Sequence, residues 1–306
     1  MDLSGVVAVI PTPFRPDETV SEECLRRAVD FAIRAGAKAV CAPAFGSECY
    51  KLTDEERQRV AAVVVEQADR RVPVFISTGS GSARSTMEFS RYSESLGAQG
   101  IMVAAPRVVA LGPAELTRFY DVVCASVGIP VMIQDADFAG SGLAASFIAS
   151  LAERCSNFLF AKLENPLAGA KCAEILRLTQ QRLQVLYGWG GLSLLDGLAH
   201  GAVGVMPGTA LTPLYARVMS LYRFGRKGEA RSLFNQIVPL LSFSLQHLEL
   251  FILMEKRLLL RRGVIRCDRL REPTLQLDEA YRVQIEELCE TANDLVNDCL
   301  AQCAPP

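Results

Sequence analysis

Histidine is nearly absent from this chain. The two residues present, His200 and His247, stand far apart and outside any recognisable ligand pattern. A zinc site or a histidine-based triad therefore has no support, and no metal is expected. The ten cysteines include no CxxC pair, so they read as reduced, mostly buried thiols acting as small hydrophobes. There is no basic excess either, with 32 Lys and Arg against 34 Asp and Glu. Nucleic acid is thus an unexpected partner. No uninterrupted apolar run reaches the length needed to cross a bilayer, so no membrane partner is expected. The start, Met1-Asp2-Leu3-Ser4, lacks a basic region, and the apolar run that follows soon meets Pro11 and Pro13. This is not a signal peptide pattern, and a cytoplasmic location is expected.

Half of the 306 residues are hydrophobic, enough to bury a large core. Short apolar runs recur about every thirty residues: Val6–Ile10, Ala39–Ala42, Val72–Ile76, Gly100–Ala104, Pro130–Ile133, Phe158–Ala161, Leu183–Tyr187 and Ala202–Met206. Their continuous apolar character suits parallel strands covered on both faces. Amphipathic segments lie between them, with helix starts at Ser21-Glu22-Glu23, Thr53-Asp54-Glu55-Glu56 and Pro113-Ala114-Glu115. Gly36, Gly97 and Gly201 each precede a strand, where a helix C-cap belongs. Eight strands alternating with eight helices make an α/β fold, a (β/α)8 TIM barrel. No GxGxxG follows the first strand, and no cofactor is expected. From about residue 228 the pattern turns purely helical, over Glu229–Arg262, with a break expected at Pro239, and over Leu277–Leu300. The expected organisation is a barrel over 1–227 and a C-terminal helical region over 228–306.

Such barrels carry their chemistry at the C-terminal ends of the strands. Lys162 closes the apolar stretch Phe158-Leu159-Phe160-Ala161 on the sixth strand. Desolvation there disfavours a charged amine, and a neutral amine can condense with a ketone to give a Schiff base. The competing reading is a lysine that snorkels to water or pairs with Glu164. The other strand ends bring Thr12, then Phe45-Gly46-Ser47-Glu48, Thr78-Gly79, Arg107, Gln134-Asp135, Gly188-Trp189 and Met206.

These ends resemble the dihydrodipicolinate synthase / N-acetylneuraminate lyase family of class I lyases. The likeness runs from Val7-Ala8-Val9-Ile10-Pro11-Thr12-Pro13-Phe14 through most of the chain. It includes Gly46-Ser47-Glu48 before Leu52-Thr53-Asp54-Glu55-Glu56-Arg57, then Thr78-Gly79, Lys162, Gly188 and Gly201-Ala202-Val203-Gly204-Val205. The resemblance implies that Lys162 is the Schiff-base lysine, that the substrate is pyruvate or another 2-oxo acid, and that the protein is a homodimer or homotetramer. The apolar stretch Ile237–Leu260 is expected to supply surface for that assembly.

The departures fall on the chemistry. The family's tyrosine after the fifth strand is replaced by Gln134-Asp135-Ala136-Asp137, and its arginine is missing from Phe138-Ala139-Gly140-Ser141. Its tyrosines after the fourth strand become Arg107-Val108, and its paired threonines become Phe45-Gly46-Ser47, leaving one hydroxyl. These losses argue against dihydrodipicolinate synthesis and sialic acid cleavage, but they keep the nucleophile. Asp135 is then the first candidate for the proton relay, or else a loop carboxylate. Gly46 and Ser47 are candidates to bind the substrate carboxylate, and Glu48 either joins them or fixes the loop. Arg107 is a candidate for the lost anion-binding arginine, or a solvent-facing side chain. Gly188 and Met206 are further substrate-contacting candidates. The alternative function is a degenerate barrel that binds a metabolite or serves as an oligomeric scaffold.

Overall fold

A computed structural model describes residues 1–106, 110–137 and 142–303. Eight parallel strands close into a barrel in sequence order. They are β1 (Gly5–Val9), β2 (Ala39–Cys41), β3 (Val74–Ser77), β4 (Gly100–Ala104), β5 (Val131–Asp135), β6 (Phe158–Leu163), β7 (Gln184–Tyr187) and β8 (Gly204–Val205). The helices that alternate with them are α1 (Glu22–Arg34), α2 (Asp54–Ala68), α3 (Ala83–Ser95), α4 (Pro113–Ala125), α5 (Ala145–Arg154), α6 (Ala168–Leu178), α7 (Leu194–Ala199) and α8 (Thr212–Arg223). Three more follow: α9 (Lys227–Ser244), α10 (Leu248–Arg261) and α11 (Glu279–Cys303). The expected (β/α)8 barrel with added C-terminal helices is therefore the architecture. Among the described residues no helix is long and apolar enough to cross a membrane.

By contacts the chain divides into two compact units. One comprises Met1–Ser4 and Pro73–Met206, with β3 to β8 and α3 to α7. Its core lies between strands and helices, where Val103, Ile133, Leu163 and Tyr187 meet Tyr120, Ile148 and Ile175. One irregularity there decides which side chains of β6 face inward. Val131 pairs with Phe158 but Met132 pairs with Phe160, so Leu159 is an extra residue in β6. Side chains alternate along a strand, and a one-residue slip exchanges its two faces. Phe158 packs in the helix-side core, and after the bulge so do Ala161 and Leu163. Phe160, Lys162 and Glu164 are thereby turned to the opposite, barrel-interior face. Phe160 meets Phe75 edge to face there, with ring centroids 5.5 Å apart.

The second unit comprises Gly5–Val72 and Pro207–Pro306. Val7 to Val9 pair with Ala39 to Cys41, and a capping box between Thr53 and Glu56 starts α2. The break expected at Pro239 does not occur there. Helix α9 runs through Pro239 because Phe234, Ile237, Leu240 and Leu241 are buried on both sides of it. That burial outweighs the lost N–H bond. The chain turns instead at Leu245–His247, where the His247 ring accepts the Glu249 N–H at 3.1 Å and caps α10. The apolar surface expected over Ile237–Leu260 is also absent. Ile237, Leu241, Leu250, Ile252, Leu258 and Leu259 are all buried within the protomer. The homo-oligomer expectation loses that support.

Burial also traps an acid. Glu255 on α10 accepts the Ala210 N–H at 2.8 Å, and Arg262 lies near it. Desolvation, opposed by the N–H groups of Ala210 and Thr209 and by the Arg262 charge, pushes this carboxyl up from its ordinary 4.5 to about 7. The folded protein then holds a proton that the unfolded chain has already released. Stability from this group is full below the unfolded value and is lost as pH rises through the folded one. Glu255→Gln should remove that loss. Urea unfolding should show the variant gaining on the wild type between about pH 4 and pH 8, by an amount on the order of 3 kcal/mol. A gap that does not change with pH would contradict the trapped proton.

Candidate active site

Lys162 is on β6 and Glu164 directly follows its last residue, two positions on, which places both side chains on the same face. Both are enclosed, 4% and 8% exposed, and Lys162 Nζ lies 3.0 Å from Glu164 Oε1. Three further groups of this unit define the site. Gln134, the register partner of Lys162 on β5, donates from Nε2 to Glu164 Oε2 at 2.7 Å. The Trp189 N–H donates to Glu164 Oε1 at 3.0 Å. Trp189 reaches that position with a left-handed φ of 49°, a strained conformation for a bulky side chain. Gly188 is required by space rather than by dihedral. A Cβ there would collide with the Glu164 carboxylate and with Lys162 Cε.

Asp135 does not join this group. It follows Gln134 on the strand and so faces the other way. Its carboxylate is taken up by Lys171 Nζ at 2.8 Å and by the Leu143 N–H at 2.9 Å. Lys171 also donates to Asn165 Oδ1 at 3.0 Å, which ties α6 to the chain leaving β6. These contacts are those of a loop-fixing carboxylate, the alternative reading of Asp135. The carboxylate beside the amine is Glu164, which sequence reading weighed only as a salt-bridge partner. The i, i+2 spacing on a strand was the available signal. Gln134, an amide with no proton chemistry of its own, carries no such signal in the sequence.

Other expected residues are placed as follows. Met206 ends its unit, buried, with its N–H donating to Tyr187 O at 2.7 Å. Arg107 lies outside the described residues.

Gly46, Ser47 and Glu48 belong to the second unit, in tight turns over Phe45–Ser47 and Cys49–Lys51. A Cβ on Gly46 would come 3.1 Å from Val9 Cγ1, so the turn sits close on β1. The Ser47 N–H donates to Ala44 O at 2.9 Å, and its hydroxyl donates to Ile10 O at 2.5 Å. The N–H and hydroxyl of Ser47 are thus both engaged within the protein. Glu48 is fully buried with a left-handed φ of 56°. It binds Lys256 Nζ through one oxygen, and through the other it accepts the Arg271 N–H at 3.0 Å. Lys51 Nζ lies 3.4 Å from that second oxygen. Of the two readings of Glu48, the geometry carries the structural one, a carboxylate that fixes the loop.

Lys256 is as buried as Glu48 and also donates to Arg269 O at 2.9 Å, with its Nζ 4.4 Å from the centre of the Phe14 ring. Burial lowers its pKa, and Glu48 opposes the shift. Removing one partner of such a pair strands the other charge in the interior. Lys256→Met should cost about 3–5 kcal/mol in urea unfolding. Combining it with Glu48→Gln should restore at least about 1 kcal/mol of the loss. A strictly additive double variant would show that the two side chains do not act as a pair.

The family model described as the dihydrodipicolinate synthetase family matches residues 2–292. L-2-keto-3-deoxyarabonate dehydratase of Azospirillum brasilense is 29% identical over 296 residues, covering 95% of each chain. YagE of Escherichia coli K12, provisionally named a 2-dehydro-3-deoxy-D-gluconate aldolase, is 32% identical over 157 residues, 51% of this chain and 52% of its own. Its crystal structure in complex with pyruvate superposes with a TM-score of 0.86, at 24% identity over 94% of this chain and 98% of that one. Dihydrodipicolinate synthase from Rhodopseudomonas palustris gives a TM-score of 0.88 at 23% identity, over 94% of this chain and 97% of its own.

Proposed function

The chain belongs to the dihydrodipicolinate synthetase family, and on that premise we propose that it is a class I lyase of a 2-oxo acid, either an aldolase or a dehydratase. Lys162 is the Schiff-base nucleophile and Glu164 is the proton carrier. The observation that carries this reading is the enclosed pair itself, an amine and a carboxylate 3.0 Å apart at the end of β6. The family supports a lyase in general terms. The named relatives include a dehydratase and a provisional aldolase, and one neighbour was crystallised with pyruvate.

The chemistry divides as follows. Lys162 gives a proton to Glu164 and attacks C2 of the 2-oxo acid, forming a carbinolamine. Glu164 returns the proton to the departing hydroxyl, which leaves as water, and the iminium remains. That cation draws electrons from C3. In an aldolase the C4 hydroxyl loses its proton as the C3–C4 bond breaks. In a dehydratase a C3 proton is removed and the C4 hydroxyl leaves as water. Either course needs a group that takes and gives protons beside the nitrogen. An amide cannot do this, so Gln134 is no replacement for the family's tyrosine. Glu164 can, and Gln134 and the Trp189 N–H hold its two oxygens in place. The missing tyrosine and arginine disfavour dihydrodipicolinate synthesis for this chain.

Borohydride with pyruvate should leave one covalent adduct, located on Lys162 by peptide mass spectrometry. Lys162→Arg should abolish it, because a guanidinium stays charged. With a 4-hydroxy-2-oxo acid as substrate, Glu164→Gln should slow turnover about 10²- to 10⁴-fold. Asp135→Asn should stay within about tenfold of the wild type, since its carboxylate serves the α6 junction. Equal losses in the two variants would return the relay to Asp135. Failure of every 2-oxo acid to trap on folded protein would leave the binding-only barrel as the reading.

A further inference from the structure

Gln134 is 2% exposed, and its Oε1 has no hydrogen-bond partner among the described residues. The orientation of the amide is not arbitrary. Nε2 faces Glu164 Oε2 at 2.7 Å, and turning the amide over would set two oxygens against each other. The carbonyl end is therefore the one left over. A buried acceptor without a donor is costly, and folded proteins seldom keep one without a use. A methionine or leucine at this position would fill the space without that cost. Gln134 pairs in register with Lys162 on the neighbouring strand and bonds the same carboxylate. The amide thus stands next to the Lys162–Glu164 pair.

We propose that Gln134 Oε1 selects the substrate, accepting a hydrogen bond from a hydroxyl on C4 of a 4-hydroxy-2-oxo acid held at Lys162. This rests on the Schiff-base reading above and narrows it. With Nε2 committed to Glu164, the amide has only an acceptor to offer, so the group it reads must be a donor. Once C2 is joined to Nζ, the chain runs on through C3 to C4, the carbon at which both candidate reactions break a bond. A C4 hydroxyl supplies the missing donor, and a plain 2-oxo acid does not. A site built to hydrogen-bond a substrate hydroxyl penalises the analogue lacking it, because the protein group is then left unpaired. Gln134 acts here as a specificity residue and takes no part in proton transfer.

The test compares 4-hydroxy-2-oxopentanoate with 2-oxopentanoate, which differ by that hydroxyl. Half-saturating concentrations for borohydride trapping on the wild type should favour the hydroxylated acid by at least about tenfold, near the low end of the cost of an unpaired buried acceptor. In Gln134→Met the ratio should fall to within about threefold. The ratio is the informative quantity, since a general loss of amine chemistry lowers both trapping reactions together. Gln134→Ser serves if the methionine variant does not fold. Equal trapping of the two acids by the wild type overturns the proposal, as does a preference that survives in the variants. If the folded wild type traps neither acid, the Schiff-base reading fails on its own account. Titration calorimetry with the same two acids then judges Gln134 separately. A tenfold preference supports it, and equal affinity or no binding of either removes it.

Discussion

One carboxylate organises the candidate site of the first unit. Glu164 receives the Lys162 ammonium and the Trp189 N–H on one oxygen and the Gln134 amide on the other. Three successive strands therefore meet at a single side chain. An anion buried this deeply persists only when it is paired and hydrogen-bonded, so each partner is needed. The need propagates outward. Trp189 accepts a strained backbone to aim its N–H, and Gly188 must lack a side chain so that β7 can pass the pair.

The second unit contains a similar pair with a different outcome. Lys256 and Glu48 are fully buried, and their remaining bonding capacity is spent on Arg269 O, the Arg271 N–H and the Phe14 ring. Lys162 has one polar partner among the described residues, although an ammonium can serve three. Satisfaction separates the two lysines better than burial does. A lysine whose donors are all engaged is cemented in place. Lys162, held by a single carboxylate, keeps donor capacity that the described protein does not use. The same test distinguishes the carboxylates, since Asp135 is committed to Lys171 and Leu143 while Glu164 stands beside the amine.

Legibility followed the range of the physics involved. The continuous apolar runs and the glycines before them fixed the strand–helix alternation, because parallel strands covered on both faces need such runs. The position of Lys162 at the end of the sixth run could be read the same way, and the family resemblance added its chemistry. Helix breaks were less legible. Pro239 looked like a stop, yet apolar burial on both sides carried α9 through it, and the turn fell where His247 could cap α10.

The amino-acid sequence by itself determined the barrel, the order of its strands and the residues delivered to each strand end, since these depend on local periodicity. The direction in which those residues point was decided only in the tertiary structure. The extra residue at Leu159 exchanges the faces of β6 after Phe158, and nothing in a short apolar run marks where a ladder will slip. Gln134 and Asp135 are neighbours in the chain but face opposite sides of β5, and the register with β6 settles which of them stands beside Lys162. Partners for buried charges are likewise contributed by remote segments, as Lys256 is to Glu48 across 208 positions. Such pairings cannot be read from spacing, because the fold must close before desolvation makes them necessary.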